Sequence, residues 1–587
     1  MKQLSSYLPA SGTGKYLFVT VMVAVSVFIM FSMCRYGGIT DGDEGYQLMC
    51  VRNYNISPLG MLSYWIGSMW LKLFPGYEIL TSRSLVSLIM FLAIGVGCWF
   101  CWRRTGNLLL AAALMPLCAI GNRMSDFSIL NWDSGTYLWD AICLAALLCF
   151  TYRPSGKSAA IAGAMLALMT LGRLPLGIEV FTAIAVVWVS CRRAGLKATD
   201  SWRYIVIGIL SFTVTALLAM TLMCGSPAAY YDAFVPENFI TGHGTSDIPM
   251  VLKRLQYLVP RQIWYLLLGI LALGAAAATY FAKRHKTLAA ISVTLIIAYD
   301  LAVMSVESQY GAAWSWVLLG CFLSVLIIVL AWLPVANLIR RKDSSASTIP
   351  WLQIITILVF IFLISFGSDT FFERMCSAFA LPMAVGCIWP LLRSRQKEFL
   401  KLYLFFVLLI FGGMWCIKYV SVALSYKFPL NQYPTQKGLV ATPYQYDFYK
   451  VNHASIAACR EAGANYFIFG ARHNLLYVFG DDNGYPFHWF DAHLFRLPGG
   501  YFTALKPYAE NNDALIYSGE MGIDREELAR KLAPSGYIML WSTLNSTLYV
   551  KADKAPQVQK ALNLIIAGDP YMQDSVILRT TQYDILE

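Results

Sequence analysis

Residues 79–102 read ILTSRSLVSLIMFLAIGVGCWFCW, an apolar run of 24 residues with one charged side chain, Arg83. A helix needs roughly 20 such residues to cross a membrane core about 30 Å thick. The run is therefore predicted to span a membrane. The composition agrees, because 58% of the 587 residues are hydrophobic and only 13% are charged. These proportions exclude a soluble enzyme, a disordered chain and a nucleic-acid-binding domain.

About thirteen runs of this kind follow one another up to Lys418. They predict an all-α polytopic membrane domain. The runs are Tyr16–Cys34, Ile79–Trp102, Leu108–Ile120, Tyr137–Phe150, Ala159–Leu171, Leu174–Cys191, Tyr204–Cys224, Ile263–Ala282, Leu288–Val306, Ala312–Leu338, Trp351–Phe366, Met375–Leu392 and Phe399–Ile417.

The loops between the runs carry an orientation signal, because every second loop is rich in Lys and Arg, as in Arg103-Arg104 and Arg340-Arg341-Lys342. Such loops face the cytoplasm. Lys2 and Lys15 place the N-terminus on the same side, and an odd number of spans then places the C-terminal tail outside. The positive charge follows this division, with 31 basic against 18 acidic residues in 1–418 and 14 against 16 in 419–587.

The tail, residues 419–587, is predicted to be a mixed α/β extracytoplasmic domain that follows the membrane domain of residues 1–418. Tyr466–Phe469 and Tyr537–Trp541 are typical of buried strands, whereas Ile456–Ala462 and Arg525–Leu532 are typical of helices.

Three carboxylates lie close together just after the first run, at Asp41, Asp43 and Glu44 in the segment TDGDEGY of residues 40–46. Carboxylates packed at a membrane surface repel one another, so such a cluster has an energetic cost. The segment is either a solvated acidic turn, which Gly42 and Gly45 favour, or a base or metal site that faces a substrate at the bilayer surface.

The sequence that follows resembles the start of the GT-C superfamily of membrane glycosyltransferases, in particular the branch of protein O-mannosyltransferases and lipid A aminoarabinose transferases. That branch has an Asp-Glu pair in the first outer loop, then a Pro, an aromatic helix ending in Phe-Gly, and an Arg in the next span. Asp43-Glu44, Pro58, Phe74 with Gly76, and Arg83 occupy these places in order. Ser57 stands where the branch commonly has a Lys that contacts the donor phosphate.

The resemblance implies an inverting transfer of a sugar from a polyprenyl-phosphate carrier to a hydroxyl of a protein, lipid or glycan. It implies a multi-pass protein of a bacterial inner membrane, with catalysis on the outer face. Asp43 would be the general base, while Glu44 and Asp133 would orient the sugar or the acceptor. Asp133 could instead be the N-cap or a first-turn acid of the helix that follows it.

Basic groups at the outer face would hold the departing phosphate. Arg254, Lys253 and His243 in the fourth outer loop are candidates, and ordinary interfacial anchoring is the alternative. The resemblance also implies that Arg83 is a substrate-binding residue. The Asp41-x-Asp43 spacing allows a divalent cation, Mg²⁺ or Mn²⁺, on the phosphate.

Two other functions remain open. A transporter or lipid flippase would need ionisable residues within spans near mid-membrane, together with interrupted helices. A ligase that moves a whole glycan chain would also act on a lipid-linked donor at the membrane surface, as the transferase does.

Overall fold

The computed structural model describes residues 12–37, 42–54, 60–124, 130, 134–232, 351–364, 378–392, 394–469, 500–518, 525–543 and 546–573. The predicted runs between residues 263 and 338 lie outside these ranges.

The described part of residues 1–425 is helical, as the apolar runs predict. The helices are α1 (Gly12–Ser32), α2 (Gly42–Arg52), α3 (Met61–Leu73), α4 (Glu78–Thr105), α5 (Leu108–Met124), α6 (Tyr137–Tyr152), α7 (Gly156–Gly172), α8 (Glu179–Arg193), α9 (Ala198–Cys224), α10 (Pro227–Asp232), α11 (Trp351–Ile364), α12 (Ala380–Ile388) and α13 (Ser394–Ser425).

Four helical segments of the described residues are long and apolar enough to cross a membrane: Thr13–Ser32, Glu78–Thr105, Leu174–Arg193 and Ala198–Cys224. Helices α5, α6, α7 and α11 are shorter apolar helices. The chain therefore has the helices of a multi-pass membrane protein. The last helix, α13, continues to Ser425, beyond the predicted domain boundary at Lys418.

Successive helices run in opposite directions, as two contacts between side chains at helix ends indicate. The Ser63 hydroxyl of α3 donates a hydrogen bond to the carbonyl of Gly172, where α7 ends. At the opposite end of the bundle, the guanidinium of Arg104 lies 3.4 Å from the ring centroid of Tyr152, so α4 and α6 end together. The basic residues after α4, α6 and α8 thus lie away from α3, as the charge pattern of the loops predicts.

The described residues of the tail form two small sheets. Strands β1 (Phe428–Pro429) and β2 (Val440–Ala441) pair antiparallel. Strands β3 (Tyr466–Phe469), β4 (Ala514–Ser518), β5 (Tyr537–Ser542) and β6 (Ser546–Lys551) form a sheet of order β3-β4-β6-β5, in which only β3 and β4 are parallel. The helices are α14 (Pro443–Glu461), α15 (Gly500–Asn511), α16 (Arg525–Leu532), α17 (Ala555–Gly568) and α18 (Pro570–Gln573).

The strands and helices predicted in the tail are present, at β3, β5, α14 and α16. The prediction that β5 is buried is wrong, because Ile538 and Met539 are exposed. Helix α14 begins earlier than predicted, because Thr442 caps it by accepting a hydrogen bond from the Gln445 N–H and Pro443 occupies its first position. Cys459 in α14 is completely buried, and burial raises the pKa of its thiol to about 12.

Candidate active site

A buried ion pair fixes the first turn of α2. The Arg83 Nε donates to Glu44 Oε1 at 2.8 Å, and Nη2 donates to Oε2 at 2.7 Å. The two side chains are only 6% and 5% exposed. This two-point contact is the strongest geometry available to an arginine and a carboxylate. Asp43 directly precedes Glu44 in α2, although its side chain lies outside the described part of the structure.

The remaining nitrogen of Arg83 holds the segment that leaves α1. Its Nη1 donates to the carbonyl oxygens of Cys34, Tyr36 and Gly37, at 3.2, 3.2 and 2.7 Å. A buried charge needs this kind of full hydrogen bonding to offset the loss of water. One side chain of α4 therefore joins the end of α1 to the beginning of α2.

Helix α2 lies between two hydrophobic cores. Leu48 and Met49 pack into the core of the tail, which also contains Leu439. Cys50 and Val51, one residue further along, pack into the core of the helical bundle. Successive positions on a helix point in different directions, so one short helix can be held from both sides. The helix that carries Asp43 thus contacts both the bundle and the tail.

The tail covers the same region through residues 428–441, which we call the clamp segment. Tyr36, just past α1, and Val440 form a parallel β-bridge. The Lys437 ammonium lies 5.2 Å from the centroid of the Tyr77 ring at the start of α4. The tail is therefore in direct contact with the residues that follow α1 and with the start of α4.

A second polar cluster lies at the ends of α6, α7 and α8. Asp140 is 1% exposed, and its Oδ2 accepts a hydrogen bond from the Thr136 hydroxyl. Arg173 follows α7 directly and donates from Nη1 to the carbonyl of Ile364 at 2.7 Å. Glu179, the first residue of α8, is completely buried and interacts electrostatically with Asp140, as Arg173 does. The cluster thus brings together two carboxylates and one guanidinium.

Sequence reasoning did not assemble this cluster. Arg173 is recognisable in the sequence as a charged residue between two apolar runs, whereas Asp140 and Glu179 lie inside such runs. A charged residue within a span is by itself a signal of function. The three groups lie at or next to the ends of α6, α7 and α8.

The structure brings two of the residues predicted from the sequence, Glu44 and Arg83, into direct contact. The others lie outside the described residues: Asp41, Asp133, His243, Lys253 and Arg254, together with the side chain of Asp43.

The N-cap and first-turn positions of α6 that were considered for Asp133 are occupied by other residues. Helix α6 begins at Tyr137 with Thr136 as its N-cap, and Asp140 is the acid of its first turn. As for metals, the described residues contain no group of three His, Cys, Asp or Glu side chains arranged to hold an ion. The Asp41 and Asp43 carboxylates, which the sequence predicts as cation ligands, are outside that part of the chain.

Comparison with known proteins gives similarities at the level of structure. No protein-family model matches the sequence, and no curated protein matches it. The chain is similar to ArnT from Cupriavidus metallidurans bound to undecaprenyl phosphate, with a TM-score of 0.41 and 13% identity over 93% of this chain and 99% of that one.

It is also similar to the archaeal oligosaccharyltransferase AglB from Archaeoglobus fulgidus in complex with an inhibitory peptide and a dolichol-phosphate. There the TM-score is 0.46 and the identity 12%, over 93% of this chain and 77% of that one. The Archaeoglobus fulgidus oligosaccharyltransferase in complex with Zn and sulfate gives a TM-score of 0.44 at 14% identity, over 91% and 73%. These TM-scores lie below 0.5, so the function proposed next rests on the chain's own residues.

Proposed function

We propose that this protein is a membrane glycosyltransferase that moves a sugar from a polyprenyl-phosphate carrier to a hydroxyl acceptor on the outer face of the membrane, with inversion. One observation carries the proposal: the residue after Asp43 is locked in a buried ion pair that joins α1, α2 and α4 at one end of a membrane bundle. A general base must be held in place in this way to be effective.

The reaction is a single displacement at the anomeric carbon. The acceptor hydroxyl attacks that carbon, Asp43 takes its proton, and the bond from the anomeric carbon to the phosphate oxygen breaks. The phosphate leaves with its negative charge on the lipid carrier. Arg254, Lys253 and His243 are the groups that we assign to this charge. Asp133 is assigned to a sugar hydroxyl.

Glu44 and Arg83 act through position and not through contact with the substrate. The guanidinium already donates to the Glu44 carboxylate and to backbone carbonyls, and both side chains are buried. Their role in the proposed reaction is to hold the first turn of α2. A divalent cation on Asp41 and Asp43 would add charge compensation for the phosphate, because paired carboxylate oxygens suit Mg²⁺ or Mn²⁺.

The test compares Asp43→Asn with Asp232→Asn, a matched change at an exposed aspartate of α10 near the same end of the bundle. Cells that carry each variant are analysed by mass spectrometry for polyprenyl-phosphate sugars and for glycosylated products. We expect Asp43→Asn to slow transfer by about 10²- to 10⁴-fold, so that one lipid-linked sugar accumulates and one product is lost. Asp232→Asn should behave as the wild type. Asp43→Asn transfer within a few-fold of wild type contradicts the assignment.

The alternatives give different results in the same cells. A flippase variant would change the side of the membrane on which the lipid-linked sugar is found, without loss of a sugar from a specific product. A ligase would leave an unattached glycan chain on its carrier. A chelator added to membranes then tests the cation, since transfer that persists in its presence excludes a required metal.

A further inference from the structure

We propose that the clamp segment of the tail, residues 428–441, is a positioning element of the active site: it holds the loop after α1 and, through Arg83, the first turn of α2. The inference rests on the proposed function, because it assigns Asp43 as the group to be positioned. The tail would then be a part of the catalytic apparatus and not a separate module.

The contact is made by the backbone of Val440. Its N–H donates to the Arg35 carbonyl at 2.9 Å, and its carbonyl accepts from the Gly37 N–H at 2.9 Å. In the β1–β2 ribbon Val440 lies opposite Pro429, which has no N–H to offer. The ribbon is held instead by the bonds of Leu430 to Leu439 and of Lys427 to Ala441. Both polar groups of Val440 are therefore directed at the loop.

Gly37 continues the connection inward. Its N–H donates to Val440, while its carbonyl accepts from Arg83 Nη1 at 2.7 Å. Arg83 in turn pairs with Glu44, the neighbour of Asp43. Three successive sets of hydrogen bonds thus join the tail to the first turn of α2. Gly37 has a φ of 86°, a backbone conformation that glycine adopts without the strain of other residues.

Packing supports the same connection. Leu48 and Met49 of α2 and Ile79 of α4 are buried in one core with Leu430 and Leu439 of the clamp segment. Loss of the clamp would therefore loosen α2 on the face that the bundle does not cover. An error of about 1 Å in the position of a catalytic group costs on the order of 10²-fold in rate. This is enough for a contact outside the reacting groups to matter.

Two variants at one position isolate the hydrogen bond. Val440→Pro removes the N–H that binds Arg35, whereas Val440→Ala keeps the backbone and shortens the side chain. For Val440→Pro we expect kcat to fall by about 10- to 100-fold with an unchanged KM for the lipid donor. Amide hydrogen exchange should become faster in residues 34–37 and in α2, but not in β3, β4, β5 and β6. Val440→Ala should stay close to wild type in both measurements.

Gly37→Ala tests the contact from the other side and leaves the tail unaltered. An added Cβ would meet Tyr426 only at 3.7 Å, so its effect comes from the positive φ and not from a clash. We expect the same loss of kcat and the same faster exchange. If Val440→Pro disrupts the four-stranded sheet of the tail, Gly37→Ala still tests the proposal.

The inference is overturned by unchanged exchange in α2 in these variants, or by faster exchange with a kcat equal to that of Val440→Ala. Failure of the proposed function has a different signature, because the wild type and Val440→Ala would then both lack transfer. A fall in donor affinity without a fall in kcat would assign the clamp to donor binding, which also contradicts positioning of Asp43.

Discussion

The buried pair of Glu44 and Arg83 allows a quantitative prediction for Arg83→Met. Methionine keeps an unbranched apolar stem like that of arginine but has neither its charge nor its donors. The change leaves the Glu44 carboxylate, 5% exposed, without a counter-charge, and it removes the donor shared by three backbone carbonyls. The double variant Arg83→Met/Glu44→Gln removes the uncompensated charge but leaves those carbonyls without the donor.

The structure gives the expected order of stabilities. Removing one partner of a buried ion pair costs about 3–5 kcal/mol, because a desolvated charge is left behind. The carbonyls that lose their donor add about 1–3 kcal/mol. We therefore expect Arg83→Met to be the least stable variant, and the double variant to be more stable than it by about 2–3 kcal/mol. Glu44→Gln also leaves a buried charge, but the guanidinium keeps its three backbone acceptors, so this variant should be more stable than Arg83→Met.

The assay is amide hydrogen exchange of the purified full chain in detergent, read as the free energy of opening of α2. Local opening is the appropriate quantity, because a chain with a bundle and a tail has no single unfolding transition. The reasoning is refuted if the double variant exchanges as fast as Arg83→Met or faster. Stability of all three variants equal to that of the wild type would likewise show that the pair is not a constraint on α2.

Two further predictions concern the bundle and its orientation. Gly97→Ala should lower the stability of the bundle by about 1–3 kcal/mol, because its Cβ would lie 2.3 Å from the Phe379 carbonyl oxygen. Gly95→Ala on the same helix is the control, since its Cβ would meet no atom within 4 Å. In a thermal unfolding assay, Gly95→Ala should leave the stability unchanged. A membrane-impermeant thiol reagent should label Lys560→Cys in intact spheroplasts and Lys157→Cys only after lysis, both positions being exposed; the reverse pattern would place the tail in the cytoplasm.

The orientation test uses introduced cysteines because the native tail thiol is unsuitable. Cys459 is completely buried and its pKa is raised to about 12 by that burial. A thiol reacts as its thiolate, so Cys459 resists labelling on either side of the membrane.

The sequence by itself determined the elements. A run of apolar residues becomes a helix in a membrane because its backbone groups have no other partners there, and this is a local property. Helices α4, α6, α7, α9 and α11 appear where the runs predict them. The strands β3 and β5 and the helix α16 were recognisable for a similar reason, since their patterns and their end signals are local.

The sequence also located part of the candidate site. It identified the acidic segment through the order Asp43-Glu44 and Arg83, but it assigned Glu44 and Arg83 to the substrate, and in the structure the segment begins helix α2. The structure pairs them with each other, 39 residues apart. Residue type indicates what a side chain can bind, whereas the partner that it does bind depends on which helices pack together.

Only the tertiary structure decided how the tail meets the site. The bonds of Val440 to Arg35 and Gly37 join two ends of the chain through backbone groups, which carry no sequence signature. The cluster of Asp140, Arg173 and Glu179 likewise exists because three helix ends converge. Burial makes such contacts specific, because an ionised or polar group removed from water must find its partner within the fold.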